Sequence, residues 1–225
     1  MKEDQLKYYY YGATAEGYDQ KRSVTKKWQL EQKAVEFFLK QLPKELDLID
    51  VPVGTGRFFD LFAARSDNVL GVDISPDMLD LARKHAAAPA VKLDLTQGSI
   101  FNLDWEPGSF DCAICIRFLN LVNSQNMARA IKELSRVSRL CVIVGIRFIP
   151  FGHVRIALIR WCLWKLRWIW LTFVRYRKGK VFFHSEQQVY DGIKNACLAV
   201  QNEFVIENSQ NGTRYVIFML VPENA

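Results

Sequence analysis

The chain is poor in the residues on which most side-chain chemistry depends. It has three histidines in 225 residues, and its five cysteines form an odd set. An odd count does not suit a disulfide framework, so disulfides are not expected. Cys112-Ala-Ile-Cys115 has the spacing of a redox or zinc pair, but it lies inside the apolar run 110–116. Side chains alternate faces along such a run, so residues three apart point to opposite sides. A zinc site would also need a second pair, which is missing, so both cysteines read as buried thiols. No carboxylate or amide cluster demands a metal. No repeat, linker or low-complexity stretch interrupts the chain, and half of it is hydrophobic, enough for one substantial α/β core. No signal-peptide pattern precedes the charged, tyrosine-rich start (Lys2, Glu3, Asp4, then Tyr8 to Tyr11), so a cytoplasmic setting is expected.

Acids are missing from one stretch altogether. Between Gly145 and Lys180 stand nine cations (Arg147, Arg155, Arg160, Lys165, Arg167, Arg175, Arg177, Lys178, Lys180), leaving 21 cations against 24 acids elsewhere. The net charge of +6 is therefore concentrated in one segment of a mildly acidic chain.

Around that segment, helical and strand patterns alternate. Residues 28–42 read as a helix with Leu30, Ala34, Phe37, Phe38 and Leu42 at helical spacing before Pro43. Strands are expected at 46–51, 69–73, 91–95, 110–116 and 140–146, with helices at 57–65, 75–88 and 124–138 between them. Ser75 followed by Pro76 is an N-cap with proline in the first turn, and Ser185 with Gln188 forms a capping box opening a helix to about 200. Strands at 203–207 and 214–220 close the chain as a hairpin. Such an order implies a mostly parallel sheet with helices on both faces and an antiparallel strand near the end.

Ligands of an open α/β sheet bind outside the carboxyl ends of its strands. That rule gathers Gly54 and Gly56 after the first strand, Asp73 after the second, Gly98, Ser99 and Ile100 after the third, and Arg117 and Asn120 after the fourth. A small-residue turn between a buried strand and a helix exposes backbone N–H groups, and an acid closing the next strand can accept both hydroxyls of a ribose. A dinucleotide fingerprint needs a third glycine, whose place is taken by Phe59, and a P-loop needs a Gly-Lys-Ser/Thr ending that the turn lacks. What remains suits a nucleoside carrying an amino-acid tail.

The run Asp50-Val-Pro52-Val-Gly54-Thr55-Gly56, with Asp73 followed by Ile74-Ser-Pro-Asp-Met78-Leu, resembles the class I S-adenosylmethionine-dependent methyltransferases. Their first motif reads Asp/Glu-x-Gly-x-Gly-x-Gly; here one glycine is Pro52, which removes an N–H while Gly54 and Gly56 keep the close backbone approach. The resemblance covers roughly residues 45–220. It implies a Rossmann-like seven-stranded sheet in the order 3-2-1-4-5-7-6, S-adenosylmethionine as cofactor and S-adenosylhomocysteine as product. The whole chain, 1–225, is then a single domain: N-terminal lid helices at 1–44, a cofactor-binding half at 45–146, a basic tryptophan-rich cap at 147–184, and a helix with the terminal hairpin at 185–225.

Residue by residue, the resemblance makes Asp73 the ribose acid and lays Ile74, Met78 and Ile100 along the adenine. Ser99 stands where many relatives carry an aspartate that meets the adenine amino group. Asp50 orders the glycine turn, to which Thr55 belongs, or holds the methionine amino group. Tyr18 and Arg22 match a lid sequence that closes over the cofactor's carboxylate. Arg117 and Asn120 lie where the family approaches the methyl, and His184, just before a capped helix, is a candidate base for an acceptor hydroxyl or amine. In-line methyl transfer needs alignment more than acid–base chemistry, so no catalytic triad is expected.

The basic segment bears on the acceptor. Trp161, Trp164 and Trp168 share a helical face with Leu171, while Arg155, Arg160, Lys165 and Arg167 scatter around the rest. It reads as a cap over the sheet with snorkelling cations, as an interfacial helix at 147–180 resting on anionic lipid, or as a nucleic-acid surface. Nucleic acid is disfavoured, because the Asn/Asp-Pro-Pro-Tyr/Phe motif of amino-methylating enzymes is absent after the fourth strand. The expected function is methyl transfer to a small-molecule or lipid-like acceptor. Pro52 and Ser99 motivate an alternative, binding of the cofactor without methyl transfer or for other chemistry, and the basic segment motivates another, a membrane-surface interaction protein.

Overall fold

A computed structural model describes residues 25–65, 67–86, 92–150, 182–209 and 212–223. Tyr18, Arg22 and residues 151–180 of the basic segment lie outside these described residues. Thr25 caps the first helix among the described residues, α1 (Lys26–Leu39), its side chain accepting from the Trp28 N–H. Next come β1 (Asp47–Asp50), the short helix α2 (Phe59–Ala63), β2 (Asn68–Asp73) and α3 (Pro76–His85), whose Ser75 cap and Pro76 start match the sequence reading. After β3 (Leu93–Gln97), β4 (Phe110–Cys115) and a 3-10 turn (Leu119–Leu121), helix α4 (Ser124–Val137) leads into β5 (Ser138–Ile149). The chain closes with the two-residue β6 (His184–Ser185), α5 (Glu186–Lys194), β7 (Leu198–Asn208) and β8 (Arg214–Pro222).

The strands form one sheet in the order β3-β2-β1-β4-β5-β8-β7, with β6 beside β5. Without the unanticipated β6, this is the 3-2-1-4-5-7-6 order that the resemblance implies. Pairing is parallel from β3 to β5, and β8 runs antiparallel to β5 and β7. Because side chains alternate, Leu48, Cys112, Ile114 and Ile143 face a layer built with α1, α2 and α3. Ile49, Ala113, Cys115 and Val142 face the opposite layer, with α4 and α5. Cys112 and Cys115 thus lie on opposite faces of the sheet.

Three expectations about the elements change. The buried stripe of α1 is Glu31, Ala34, Val35, Phe38 and Leu39, so a glutamate lies inside and Phe37 outside. Phe37 instead stands 6.0 Å from Phe204 across the surface of β7, while Glu31 meets two arginines. The last helix stops at Lys194 rather than near 200, because Cys197 takes a left-handed φ of 55° and turns the chain so that Leu198 enters the core as the first residue of β7. Finally, β5 continues to Ile149, so the basic segment begins as sheet: Phe148 and Ile149 pair with β6.

Phe38 is fully buried between α1 and the sheet, and Phe37 is 47% exposed. Phe38→Ala is expected to cost about 3–5 kcal/mol of stability. Phe37→Ala should cost less than about 1 kcal/mol. Urea unfolding of both variants checks the orientation of α1.

Candidate active site

The strand ends that the topology brings together are those of β3, β2, β1 and β4, neighbours in that order. A cleft of about 780 Å³, open to solvent, lies over them, lined among others by Asp50, Pro52, Gly54, Thr55, Asp73, Ile74, Met78 and Arg117. A smaller one adjoins it, sharing Pro52, Asp73 and Ile74 and adding Gly98, Ser99 and Ile100.

The turn after β1 is stitched to β2 by the Val53 N–H, which donates to the Val72 carbonyl at 2.8 Å. Gly54 and Gly56 take φ values of 58° and 78°, where side chains are strained. Their surroundings differ. A Cβ on Gly54 would meet nothing within 4 Å, whereas one on Gly56 would fall 2.1 Å from the Phe59 ring. Gly54 therefore leaves room for a ligand; Gly56 makes room for Phe59 and lies behind the cleft wall.

Two buried acids end the central strands in different states. Asp73 accepts the Gly54 N–H at one carboxylate oxygen and the Ser75 N–H at the other, both at 2.9 Å. Burial raises its pKa, and those backbone donors oppose the rise. Asp50 is fully buried, and its Oδ2 has no hydrogen-bond partner. Burial pushes its pKa up to about 8; the nearby Arg57 charge pulls it down, and Asp73 pushes it further up.

Facing these acids is a cationic wall of Arg117, which the sequence reading named, and Arg57, which it did not. Arg57, from the glycine turn, donates to Glu31 Oε2 at 2.7 Å and to the Trp28 carbonyl at 2.9 Å, with its guanidinium 3.6 Å from the Trp28 ring centroid. Its Nε is buried without a partner. Arg117 donates from Nε to both oxygens of Glu31, at 2.9 and 2.7 Å, from a backbone with φ 66°. One fully buried carboxylate on α1 thus bridges two arginines that line the cleft. Trp28, Phe58, Ile116, Phe118 and Leu121 supply apolar surface around them. A charge placed on the apolar stripe of α1 was the signal that could have found Glu31.

The remaining expected residues sit as follows. Ser99 uses its hydroxyl to accept the Phe101 N–H at 3.3 Å while lining the smaller cleft. Asn120 and His184 line neither cleft. The Asn120 amide pairs with the backbone of Arg147, accepting its N–H at 3.0 Å and donating to its carbonyl at 2.9 Å. His184 is buried with Nε2 at 2.9 Å from the Leu119 carbonyl, which can only accept, so Nε2 carries the proton. Burial also lowers its pKa. The two side chains thus tie the end of β5 and the start of β6 to the turn after β4. Among the described residues, no group of three or more His, Cys, Asp or Glu could hold a metal.

This strand order, with a glycine turn after β1 and an acid closing β2, is the fold of the S-adenosylmethionine-dependent methyltransferases. Residues 48–139 match the family model described as a methyltransferase domain. The crystal structure of magnesium protoporphyrin IX methyltransferase from Synechocystis PCC 6803 with bound SAH is similar, with a TM-score of 0.73 at 14% identity, covering 97% of this chain and 98% of that one. In sequence, demethylmenaquinone methyltransferase of Deinococcus radiodurans is 32% identical over 100 residues, 43% of this chain and 42% of that protein. A ubiquinone biosynthesis O-methyltransferase of Xanthomonas campestris pv. campestris is 32% identical over 76 residues, 33% of this chain and 32% of that protein. The matched region thus spans less than half the length of these two curated relatives.

Glu31→Ala would leave two largely buried guanidiniums without their shared counter-ion, which is expected to cost about 3–5 kcal/mol. The Lys27–Glu207 pair, whose side chains are 36% and 43% exposed, provides the contrast. Lys27→Ala should cost no more than about 1 kcal/mol. Chemical denaturation of the two variants measures the difference.

Proposed function

We propose that the protein is an S-adenosylmethionine-dependent methyltransferase acting on a small, largely apolar acceptor. The observation that carries this reading is the pair of unpartnered buried atoms in one cleft, the acceptor Asp50 Oδ2 and the donor Arg57 Nε. A buried polar atom without a partner is costly, and a ligand with an ammonium and a carboxylate on one carbon satisfies both. Asp73 suits the ribose hydroxyls, as a buried acid at the end of β2 that lines the cleft and is oriented by the backbone N–H groups of Gly54, Ser75 and Ile74. Open space over Gly54 lets the chain of the ligand cross the turn. Ile74, Met78, Ser99 and Ile100 fit around an adenine. When bound, the cofactor supplies a methyl group made electrophilic by a sulfonium.

The protein's own residues then bind and orient. Apolar walls from Ile116, Phe118 and Leu121 exclude water beside the β4 end, and alignment there needs no acid–base group. The names of the relatives, which concern quinones and a porphyrin, support an apolar acceptor with a planar body. Residues 151–180 remain proposed as a cap or a membrane-facing element on their composition alone.

S-adenosylhomocysteine, titrated calorimetrically into the purified chain, is expected to bind saturably. Asp73→Asn should weaken it by about 10–100-fold, the equivalent of lost charge-assisted hydrogen bonds. Absence of saturable binding in the wild type would sink the assignment.

The acidity of Asp50 gives a second outcome. A folded-state pKa raised to about 8 means that the unliganded protein holds a proton that the unfolded chain releases near its ordinary range. The contribution of the protonated carboxyl to stability is therefore fully present at low pH and fades as pH rises through about 4 to 8. An ammonium ligand needs the carboxylate, so binding expels this proton below about pH 8. S-adenosylhomocysteine affinity is expected to rise by up to about tenfold per pH unit between about 6 and 8 in the wild type. Asp50→Asn should flatten the dependence, as calorimetry at several pH values would show.

A further inference from the structure

Resting on the methyltransferase reading, we infer that Glu31 is a positioning residue for cofactor recognition: from α1 it fixes Arg57 so that the Nε N–H meets the cofactor's carboxylate, and the site thereby selects a tail that carries that carboxylate. Glu31 is fully buried and lies behind the cleft wall, to which Arg57 belongs. It acts on a ligand through the arginine that it holds.

An arginine on a turn can swing about several bonds and offer its N–H groups in many directions. Here its contacts leave one direction. Nη1 donates to Glu31 Oε2 at 2.7 Å and Nη2 to the Trp28 carbonyl at 2.9 Å, while the guanidinium carbon lies 3.6 Å from the Trp28 ring centroid and 4.6 Å from that of Phe58. Residues 28 and 31 stand three apart on α1 and so share a face, from which one helical turn supplies carbonyl, indole and carboxylate. With both Nη atoms engaged, Nε is the guanidinium nitrogen left without a partner.

That nitrogen is also the one nearest the backbone, and hence nearest the glycine turn. Asp50 leads into the same turn with Oδ2 unpartnered, and Arg57 is near enough for its charge to pull the Asp50 pKa down. Asp50 is held in β1 between β2 and β4, whereas Arg57 takes its orientation from α1. No excess of charge is required. With Asp50 ionised by an ammonium ligand, Arg57 and Arg117 stand against Asp50, Asp73 and Glu31, and a zwitterionic tail adds nothing to that sum. What Glu31 supplies is direction, because a charge-assisted N–H···O contact is strong when the donor points at the oxygen.

The test is calorimetric titration of the full chain with S-adenosylhomocysteine and with its decarboxylated analogue, which keeps the ammonium and lacks the carboxylate. The wild type is expected to bind S-adenosylhomocysteine about 10–100-fold more tightly than the analogue, the equivalent of one charge-assisted hydrogen bond. Glu31→Gln should bring that ratio below about threefold and leave affinity for the analogue within about twofold, which also shows that the variant is folded. Arg57→Lys, which keeps a cation for Glu31 but has no donor at the Nε position, should do the same, and adding Glu31→Gln to it should change the ratio no further. Should Glu31→Gln not fold, Glu31→Asp, which withdraws the carboxylate by one methylene, takes its place with the same expectation. An unchanged ratio in the Glu31 variant would overturn the inference, as would equal losses for both ligands, since a purely structural role weakens both. So would a ratio that survives Arg57→Lys and collapses in Arg22→Gln, because the carboxylate would then belong to the N-terminal segment. Equal binding of the two ligands by the wild type removes this inference alone; binding of neither removes the cofactor reading with it.

Discussion

Two guanidiniums cannot share a dehydrated wall unless a negative charge stands between them, and Glu31 meets that requirement from an element far away in sequence. Its Oε2 lies 2.7 Å from nitrogens of both Arg57 and Arg117, so α1, the glycine turn and the end of β4 are tied at one point. Removing solvent from three charges is costly and is offset only by close, well-oriented contacts. The indole of Trp28 covers both arginines and completes the shielding. Arg117 reaches this point from a φ of 66°, a conformation that costs about 1–3 kcal/mol when a non-glycine side chain is held in it. Two hydrogen bonds from its Nε to Glu31 hold the side chain there.

The same economy divides the two buried acids. Asp73 lies where the backbone of the turn and of the α3 start both point N–H groups at it, so it is satisfied by the fold. Asp50, one strand over, has no such donor for Oδ2, and burial raises its pKa to about 8. Phe59 decides the outline of the turn between them: its ring occupies the space that a Cβ on Gly56 would need. The turn is consequently shaped by its own helix on one side and open over Gly54 on the other.

The parallel sheet was legible because its central strands are continuous apolar runs, bounded by glycine, proline and capping residues whose local physics is strong. The Ser75 cap was legible for the same reason, since it follows from neighbours within a few positions, whereas Gly54 and Asp73, 19 positions apart, were picked out by their places at adjacent strand ends. Glu31 was not: its partners lie 26 and 86 residues away, and the helical pattern of α1 tolerates a rotation that exchanges Glu31 for Phe37. Asn120 and His184 carry polar groups suited to chemistry, but their position in the strand order could not reveal that backbone groups of Arg147 and Leu119 claim them. The early start of β7 depends on a left-handed Cys197, a residue type that seldom signals such a turn.

Incubation of the purified protein with a small-molecule cell extract and methyl-labelled S-adenosylmethionine, followed by mass spectrometry, tests the central claim most directly. The account predicts a labelled apolar small molecule, formed together with S-adenosylhomocysteine. An extract in which no small molecule gains the label, while the protein demonstrably binds the cofactor, would contradict it.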